Sequence, residues 1–473
     1  MMGLLRHYVS IGLTLFDLGA LAYFLVLNTL YLVFTVVAYG RLVAHRRRWT
    51  SRDLDAIVRS PATPGISIIV PAYNEEATIV DSVRSLLLLN YPHFEVVVVS
   101  DGSKDRTLDV VRQAFGMLSA PVSYQQPLET AAINGFFRSL SYPDLLVIDK
   151  ANGGKADAIN AGINAARHPL VCVLDADSLL EEHALARAVL PFLEDSTTVA
   201  AGGIIRIANG CRVEMGKVLD VGLPRSWLAR FQVVEYLRAF LAGRVALSAV
   251  NALLIISGAF GIFRRDRVVE VGGFRTDTVG EDMEIVVRLH RHLRDLRVPY
   301  RIVFQPDPVC WTEAPERREI LAAQRNRWQR GTLQALGYHW SMMGNPAYGL
   351  VGLFALPFYL VFEGVGPLVE FTGFAITVLA LALGLLDWRF AWLMFLAAVV
   401  YGSMISVASV LLEEMSFRRY MRLRDLFALC AIGVIENFGY RQITSWWRLR
   451  GAIDYLRRRQ DWGAMTRKGF TGI

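Results

Sequence analysis

The chain has 473 residues, 53% of them hydrophobic, and a mean hydropathy of +0.35. A soluble globular protein is roughly 45–50% apolar, so disorder, collagen and coiled coil are excluded and part of this chain belongs in lipid. The formal charge of +7, from 50 Lys+Arg against 43 Asp+Glu, is too small an excess to point to nucleic acid, so what matters is where it lies.

Residues 18–40 carry no charge and are long enough to cross a bilayer, which takes about 20 apolar residues per helix. Arg41, His45, Arg46, Arg47 and Arg48 follow, and positive residues stay on the cytoplasmic side, so the N-terminus points outward. A cleaved signal peptide is disfavoured, because the basic cluster follows the apolar run instead of preceding it. Residues 65–310 hold only strand-length apolar stretches and read as a cytoplasmic domain.

Within that domain, residues 66–70 form an apolar run before Pro71-Ala72-Tyr73-Asn74-Glu75-Glu76, and residues 77–89 read as a helix. A second buried strand, 95–100, ends at Asp101-Gly102-Ser103 and leads into a helix over 104–115. Strands at 145–149 and 170–174 enclose a helix at 155–167. Continuous apolar strands alternating with helices indicate a parallel α/β sheet covered on both faces, with ligands bound beyond the carboxyl ends of the strands.

The polar motifs sit at those ends. Asp175-Ala176-Asp177 closes the strand 170–174, and residues two apart on extended chain face the same way. Two such carboxylates repel unless a cation such as Mg2+ or Mn2+ joins them to a diphosphate; the alternative is a strand-end turn with solvated acids. Asp101 is either an acceptor for a nucleoside or a turn and cap residue. Gly153-Gly154-Lys155 opens a helix, where glycines let backbone approach a phosphate and lysine adds charge; a plain glycine turn is the alternative, and the P-loop spacing is absent. Gly280-Glu281-Asp282 precedes a helix over 283–296, so Asp282 is a cap or a catalytic base. Gln324, Arg327 and Trp328 share one face of a helix over 315–338, suiting a diphosphate and a sugar, or else an arginine-rich membrane-surface helix. His290 and His292 face different directions and read as surface residues. Cys172, Cys211, Cys310 and Cys430 are far apart in sequence and read as buried thiols.

Beyond the domain, residues 348–362 contain Pro357 and are too short to cross, so an interfacial or re-entrant helix fits them. Residues 364–386 and 390–412 are each long enough to span. The first holds Glu370, whose exposure to lipid would cost roughly 2–3 kcal/mol, so Glu370 is expected to face a polar pathway or the catalytic domain. Two crossings here keep the following Arg418, Arg419, Arg422 and Arg424 inside, and three would not. Residues 427–438 are too short to cross, and the tail, with Trp446, Trp447, Arg448, Arg450, Arg457, Arg458, Arg459, Arg467 and Lys468, suits the headgroup zone. The expected division is an anchor at 1–48, a cytoplasmic domain at 49–313, amphipathic helices at 314–362, two spans at 363–412 and a basic tail at 413–473.

Taken in order, Pro71–Glu76, Asp101, Lys155, Asp175-x-Asp177, Gly280-Glu281-Asp282 and Gln324-x-x-Arg327-Trp328 ahead of membrane helices resemble the processive family-2 membrane glycosyltransferases. These include the cellulose, hyaluronan, chitin-oligosaccharide and poly-N-acetylglucosamine synthases. Ser257-Gly258 through Arg264 resembles the acceptor-side segment of that family. The resemblance implies a GT-A-type, mostly parallel sheet binding a UDP-sugar. It implies that Ala72, Tyr73, Glu75 and Asp101 hold the nucleoside, that Lys155 contacts the diphosphate, and that Asp175 and Asp177 serve donor and metal, with Asp177 the direct ligand to Mg2+ or Mn2+. It further implies Asp282 as base, with Gln324, Arg327 and Trp328 beside the acceptor end and the leaving UDP. A growing polysaccharide or oligosaccharide would be the acceptor. The acidic motif departs from relatives that read Thr-Glu-Asp or Gly-Asp-Asp, which bears on acceptor preference. With about three spans, accessory subunits or self-association would complete an export channel. Single sugar addition to a membrane lipid is the alternative within the same chemistry, and a transporter with a nucleotide-sensing domain lies outside it, disfavoured by the few spans and the lack of an inverted repeat.

Overall fold

The computed structural model describes residues 2–49, 54–214, 216–417 and 422–459. Of the basic residues used to orient the chain, Arg418, Arg419, Arg467 and Lys468 lie outside the described residues.

The strands in chain order are β1 (Ile66–Ala72), β2 (Phe94–Asp101), β3 (Met117–Ser119), β4 (Ile133–Ser139), β5 (Leu145–Lys150), β6 (Leu170–Leu174), β7 (Ser178–Leu180), β8 (Thr198–Ile207), β9 (Arg212–Glu214), β10 (Lys217–Asp220), β11 (Phe260–Arg264) and β12 (Arg301–Thr312). β9 and β10 form a separate hairpin, and the other strands make one ten-stranded sheet in the order β3-β4-β5-β2-β1-β6-β11-β8-β12-β7. The centre, β5-β2-β1-β6, is parallel, as is β8 with β12. β11 lies antiparallel between β6 and β8, and β3, β4 and β7 also pair antiparallel, so the sheet is mixed where a mostly parallel one was expected. The central strands are apolar at nearly every position because both faces are covered. Ile66, Ile68 and Val70 of β1 join one buried cluster with Val96 and Val98, while Ile69 joins the opposite cluster with Val97 and Val99.

Among the described residues three helical runs are long and apolar enough to cross a membrane: Thr14–His45, Val351–Ala382 and Trp388–Phe417. The first is part of one continuous helix, Met2–Trp49. In the second, the segment read as an interfacial helix runs directly into the following apolar helix, with a bend at Val365. Pro367 accounts for the bend. It has no N–H to give the Glu363 carbonyl, and Gln329 Nε2 (3.0 Å) and Arg448 Nη2 (2.6 Å) donate to that oxygen instead. Gln329 Nε2 also reaches the Gly364 carbonyl at 2.9 Å. Glu370 accepts a 2.5 Å bond from Ser445 on the tail helix Tyr440–Leu456, so it faces a polar partner, in keeping with the desolvation argument.

Buried ion pairs tie the helices that follow the domain to β8 and to the turn Leu237–Ala242. Arg206 on β8 pairs with Glu413, both almost fully buried, and Arg238 pairs with Glu436, which also accepts from Ser406 at 2.8 Å. Cys172, Cys211 and Cys310 are buried free thiols, and Cys430 is half-buried.

His290 is not at the surface; it is fully buried. Its Nε2 lies 2.8 Å from the Leu253 carbonyl, which can only accept, so Nε2 carries the hydrogen. Nδ1 then accepts from the Tyr300 hydroxyl at 2.6 Å. His292 is exposed and pairs with Glu270 at 2.9 Å. The two do face different directions, but the helix Glu281–Asp295 is covered on His290's side by the chain around Leu253 and Tyr300.

Candidate active site

Two loops at the carboxyl ends of β1 and β2 are stitched to one another. Asn74 adopts the left-handed conformation (φ 57°), which asparagine tolerates, and turns Tyr73 outward while Ala72 stays buried in the strand. Asn74 Oδ1 accepts from the Lys104 amide at 2.8 Å, and the Glu75 amide donates to Thr107 Oγ1 at 2.8 Å. The Glu75 carboxylate accepts from Thr78 Oγ1 at 2.8 Å.

Asp101 at the end of β2 is 3% exposed, and its carboxylate is filled from within the protein. Oδ1 accepts from Lys150 Nζ at 2.5 Å and the Gly153 amide at 2.9 Å, and Oδ2 from the Gly154 amide at 2.8 Å and Asn152 Nδ2 at 3.2 Å. The Gly153 and Gly154 amides are thus bound to Asp101, and the Asp101 carboxylate is met by Lys150, Asn152 and these two amides. Lys150, fully buried, also holds Asp157 at 2.5 Å. Asp101 therefore fixes the loop that launches Lys155.

Lys155, at the start of the helix Lys155–Ala165, points into a cluster of acids. Its Nζ lies 2.6 Å from Asp175 Oδ1 and 3.3 Å from Glu281 Oε1. Burial alone would lower its pKa, but Asp175, Glu281 and Asp282 outweigh it and hold the ammonium above its ordinary value. Asp282 is in the first turn of Glu281–Asp295; its Oδ1 accepts from the Met283 amide at 2.8 Å and its Oδ2 from the Gly258 amide at 3.3 Å. Gly258 makes the convergence possible. A Cβ there would sit 3.0 Å from Lys155 Nζ and 3.5 Å from the Asp282 Cβ. Asp177 is 2% exposed, and Asp175 and Asp177 both bear on the Cys310 thiol of β12, whose pKa is raised chiefly by burial and further by the two acids.

The helix Arg318–Tyr338 passes the start of Glu281–Asp295 with Gly331 against Gly280. Arg327 lies close enough to act on Glu281. The Glu281 carboxyl is shifted upward mainly by burial; Lys155 and Arg327 pull it down, and Asp282 pushes it up. Trp328 packs near Tyr236 and Phe240, with centroids 6.4 and 6.2 Å away. Arg325 stacks on the Trp328 ring at 4.3 Å and is held by Glu235 at 2.8 Å, while Tyr440 of the tail helix donates to the same carboxylate at 2.9 Å. Gln324 is 8% exposed, and its Oε1 has no hydrogen-bond partner among the described residues.

The structure thus sets Asp175 against Lys155, and Lys155 and Asp282 on Gly258, with Arg327 acting on Glu281 of the same cluster. Glu281 belongs to it and was overlooked beside the more familiar aspartate; its place between Gly280 and Asp282 was the available signal. The Ala72–Glu75 turn lies at the end of β1, next to β6, whose end carries Asp175. The donor set has the chemistry a divalent ion takes, hard carboxylate oxygens. Among the described residues no three His, Cys, Asp or Glu side chains gather as a metal site.

Poly-beta-1,6-N-acetyl-D-glucosamine synthases of Staphylococcus aureus and Staphylococcus epidermidis are 29% identical to the chain over 273 residues, 58% of this chain and 55% of theirs. The chain spans about half the length of these curated relatives. Among solved structures, a mannosyltransferase from Pyrobaculum calidifontis in complex with GDP-Man and Mn2+ superposes with a TM-score of 0.54 at 21% identity, covering 89% of this chain and 99% of that one; the likeness is one of fold, of the GT-A type. The family model for glycosyltransferase like family 2 matches residues 64–331, which run from just before β1 to Gly331 and hold every motif described above. The chain is an enzyme of the family-2 glycosyltransferases.

Proposed function

We propose that this enzyme is an inverting, metal-dependent and processive synthase, transferring a hexose or N-acetylhexosamine from a UDP-sugar to a growing β-linked polysaccharide at the inner face of the membrane. The observation that carries the reading is the contact of Asp282 with Gly258, which itself touches Lys155. A candidate base and a candidate diphosphate ligand thereby sit on opposite sides of one glycine. The name of the staphylococcal relatives favours N-acetylglucosamine as the sugar.

In this reading Ala72, Tyr73 and Glu75 hold the nucleoside, with Asp101 acting through the loop it fixes. Asp175 and Asp177 would hold the divalent ion, which when bound offsets the charge of the diphosphate. Lys155 and Arg327 add positive charge on the leaving UDP. Trp328 stacks on the acceptor sugar, beside Gln324, and Asp282 takes the proton of the attacking hydroxyl. A single displacement turns an α-linked donor into a β-linked product. No acid is needed for the leaving group, because UDP departs as an anion. The three apolar runs hold the domain at the bilayer, with the proposed orientation placing it in the cytoplasm and an accessory subunit or second copy completing the export path.

The test uses the full chain in lipid nanodiscs with radiolabelled UDP-glucose and UDP-N-acetylglucosamine, sizing the product and measuring UDP release. A ladder of long products is expected; one added sugar per acceptor would sink processivity. Asp282→Asn should lower transfer by roughly 10²–10⁴ while UDP still binds. Chelation with EDTA should stop transfer, and added Mg2+ or Mn2+ should restore it.

A further inference from the structure

Arg244 lies on the helix Gly243–Ala249, outside every motif considered so far. It is 5% exposed, and its guanidinium carbon sits 4.1 Å from the Phe240 ring centroid and 6.0 Å from that of Phe304. Its Nη1 is buried with no hydrogen-bond partner among the described residues. A guanidinium stays charged in proteins, so a buried one with an idle donor is costly and calls for a ligand. The helix follows directly on the π-helical turn Leu237–Ala242, a conformation found often at functional sites.

The surroundings define what that ligand is. Phe240 packs 4.4 Å from Tyr236 and 6.2 Å from Trp328, so Arg244 caps an aromatic surface continuous with Trp328. Burial lowers the Arg244 pKa, against the influence of Tyr359, Asp282 and Tyr236, so the charge of Asp282 reaches Arg244 as it does Lys155. Aromatic rings with an N–H donor seated over one of them suit a sugar ring, which offers C–H groups to the free aromatic surface and oxygens to the donor.

We propose that Arg244 is an acceptor-binding residue whose Nη1–H donates to an oxygen of the terminal sugar, holding that sugar on the Phe240–Trp328 face with its attacking hydroxyl toward Asp282. This rests on the reading of the enzyme as a polysaccharide synthase. The full chain in nanodiscs is assayed with UDP-N-acetylglucosamine and a β-linked N-acetylglucosamine oligosaccharide, and UDP affinity is measured alongside. Arg244→Gln should raise the acceptor KM at least tenfold, lower kcat by less, and leave the UDP Kd within twofold, which also reports an intact fold. Arg244→Lys should recover part of the acceptor affinity. An unchanged acceptor KM overturns the proposal, and so does a parallel rise in UDP Kd, which would assign Arg244 to the leaving group. Should Arg244→Gln fail to melt cooperatively, Arg244→Lys carries the test, and a wild-type acceptor KM in it overturns the proposal. If wild type releases no UDP, or Asp282→Asn transfers normally, the synthase reading fails and this proposal falls with it.

Discussion

Gly280 and Gly331 stand back to back: a Cβ on Gly280 would lie 2.6 Å from the Gly331 Cα, and one on Gly331 2.7 Å from the Gly280 Cα. This contact sets how near the helix carrying Arg327 and Trp328 comes to Asp282. Alanine at 331 would gain about 1 kcal/mol of helix propensity. Overpacking costs about 1–3 kcal/mol, and here the opposing atoms are backbone, which cannot swing aside. Gly331→Ala is therefore expected to lower the melting temperature by a few degrees and, by displacing one helix about 1 Å, to slow transfer by about 10². Unchanged transfer and melting in this variant would show that the helices have slack here.

Gln329 satisfies both carbonyls freed at the bend before Pro367. Gln329→Leu leaves the Gly364 oxygen without that donor and should destabilise the protein by about 1–3 kcal/mol. Gln329→Glu, which keeps the shape but loses the N–H, should do at least as much harm. Thermal unfolding in nanodiscs measures both.

Lys150 is a buried cation between Asp101 and Asp157. Removing one partner of a buried ion pair costs about 3–5 kcal/mol, so Lys150→Met should be severely destabilising. Asp101→Asn retains an acceptor and one stitch to the loop, and should lose UDP affinity and stability together. Loss of UDP affinity at full stability would return Asp101 to direct nucleoside contact.

The pKa of His290 is held down at about 4, chiefly by burial, with the nearby Arg294 adding to the shift. The folded protein therefore keeps this histidine neutral where the unfolded chain would protonate it. The stability it contributes is complete above the unfolded value of about 6.5 and is lost as pH falls from there toward 4, by about 3 kcal/mol. His290→Gln, which can still donate to the Leu253 carbonyl, should flatten that part of the stability–pH profile; an unchanged slope would place the acid sensitivity elsewhere.

The central strands and the positions of the motifs at their ends were legible because burial on both faces leaves an unmistakable apolar run, as in Val96–Val99. Lys155, Asp175 and Asp282 could be picked out as members of an ordered set of motifs, because a charge at a strand end or helix start is by itself as readily a turn or cap residue. What could not be read was pairing across distance. Nothing local to Asp101 announces Lys150, and the same sequence would serve a turn that faces solvent. The helix period of His290 and His292 was right, yet the period does not say which chain segment covers a face. Residues 348–362 look too short to cross because Pro357 and Glu363 interrupt the hydropathy, although the backbone runs on into the next apolar helix.

The bend before Pro367 reaches beyond its own helix. Its two orphaned carbonyls are met by the neighbour of Trp328, and Arg448 clamps the same turn while its Nε holds Gln329 at 2.9 Å. In a medium without water to replace those bonds, sliding one helix past the other would strand several polar groups at once. The helix carrying Arg327 and Trp328 is thereby locked against the bent helix, so in the proposed synthase the reaction point would keep one depth from each added sugar to the next.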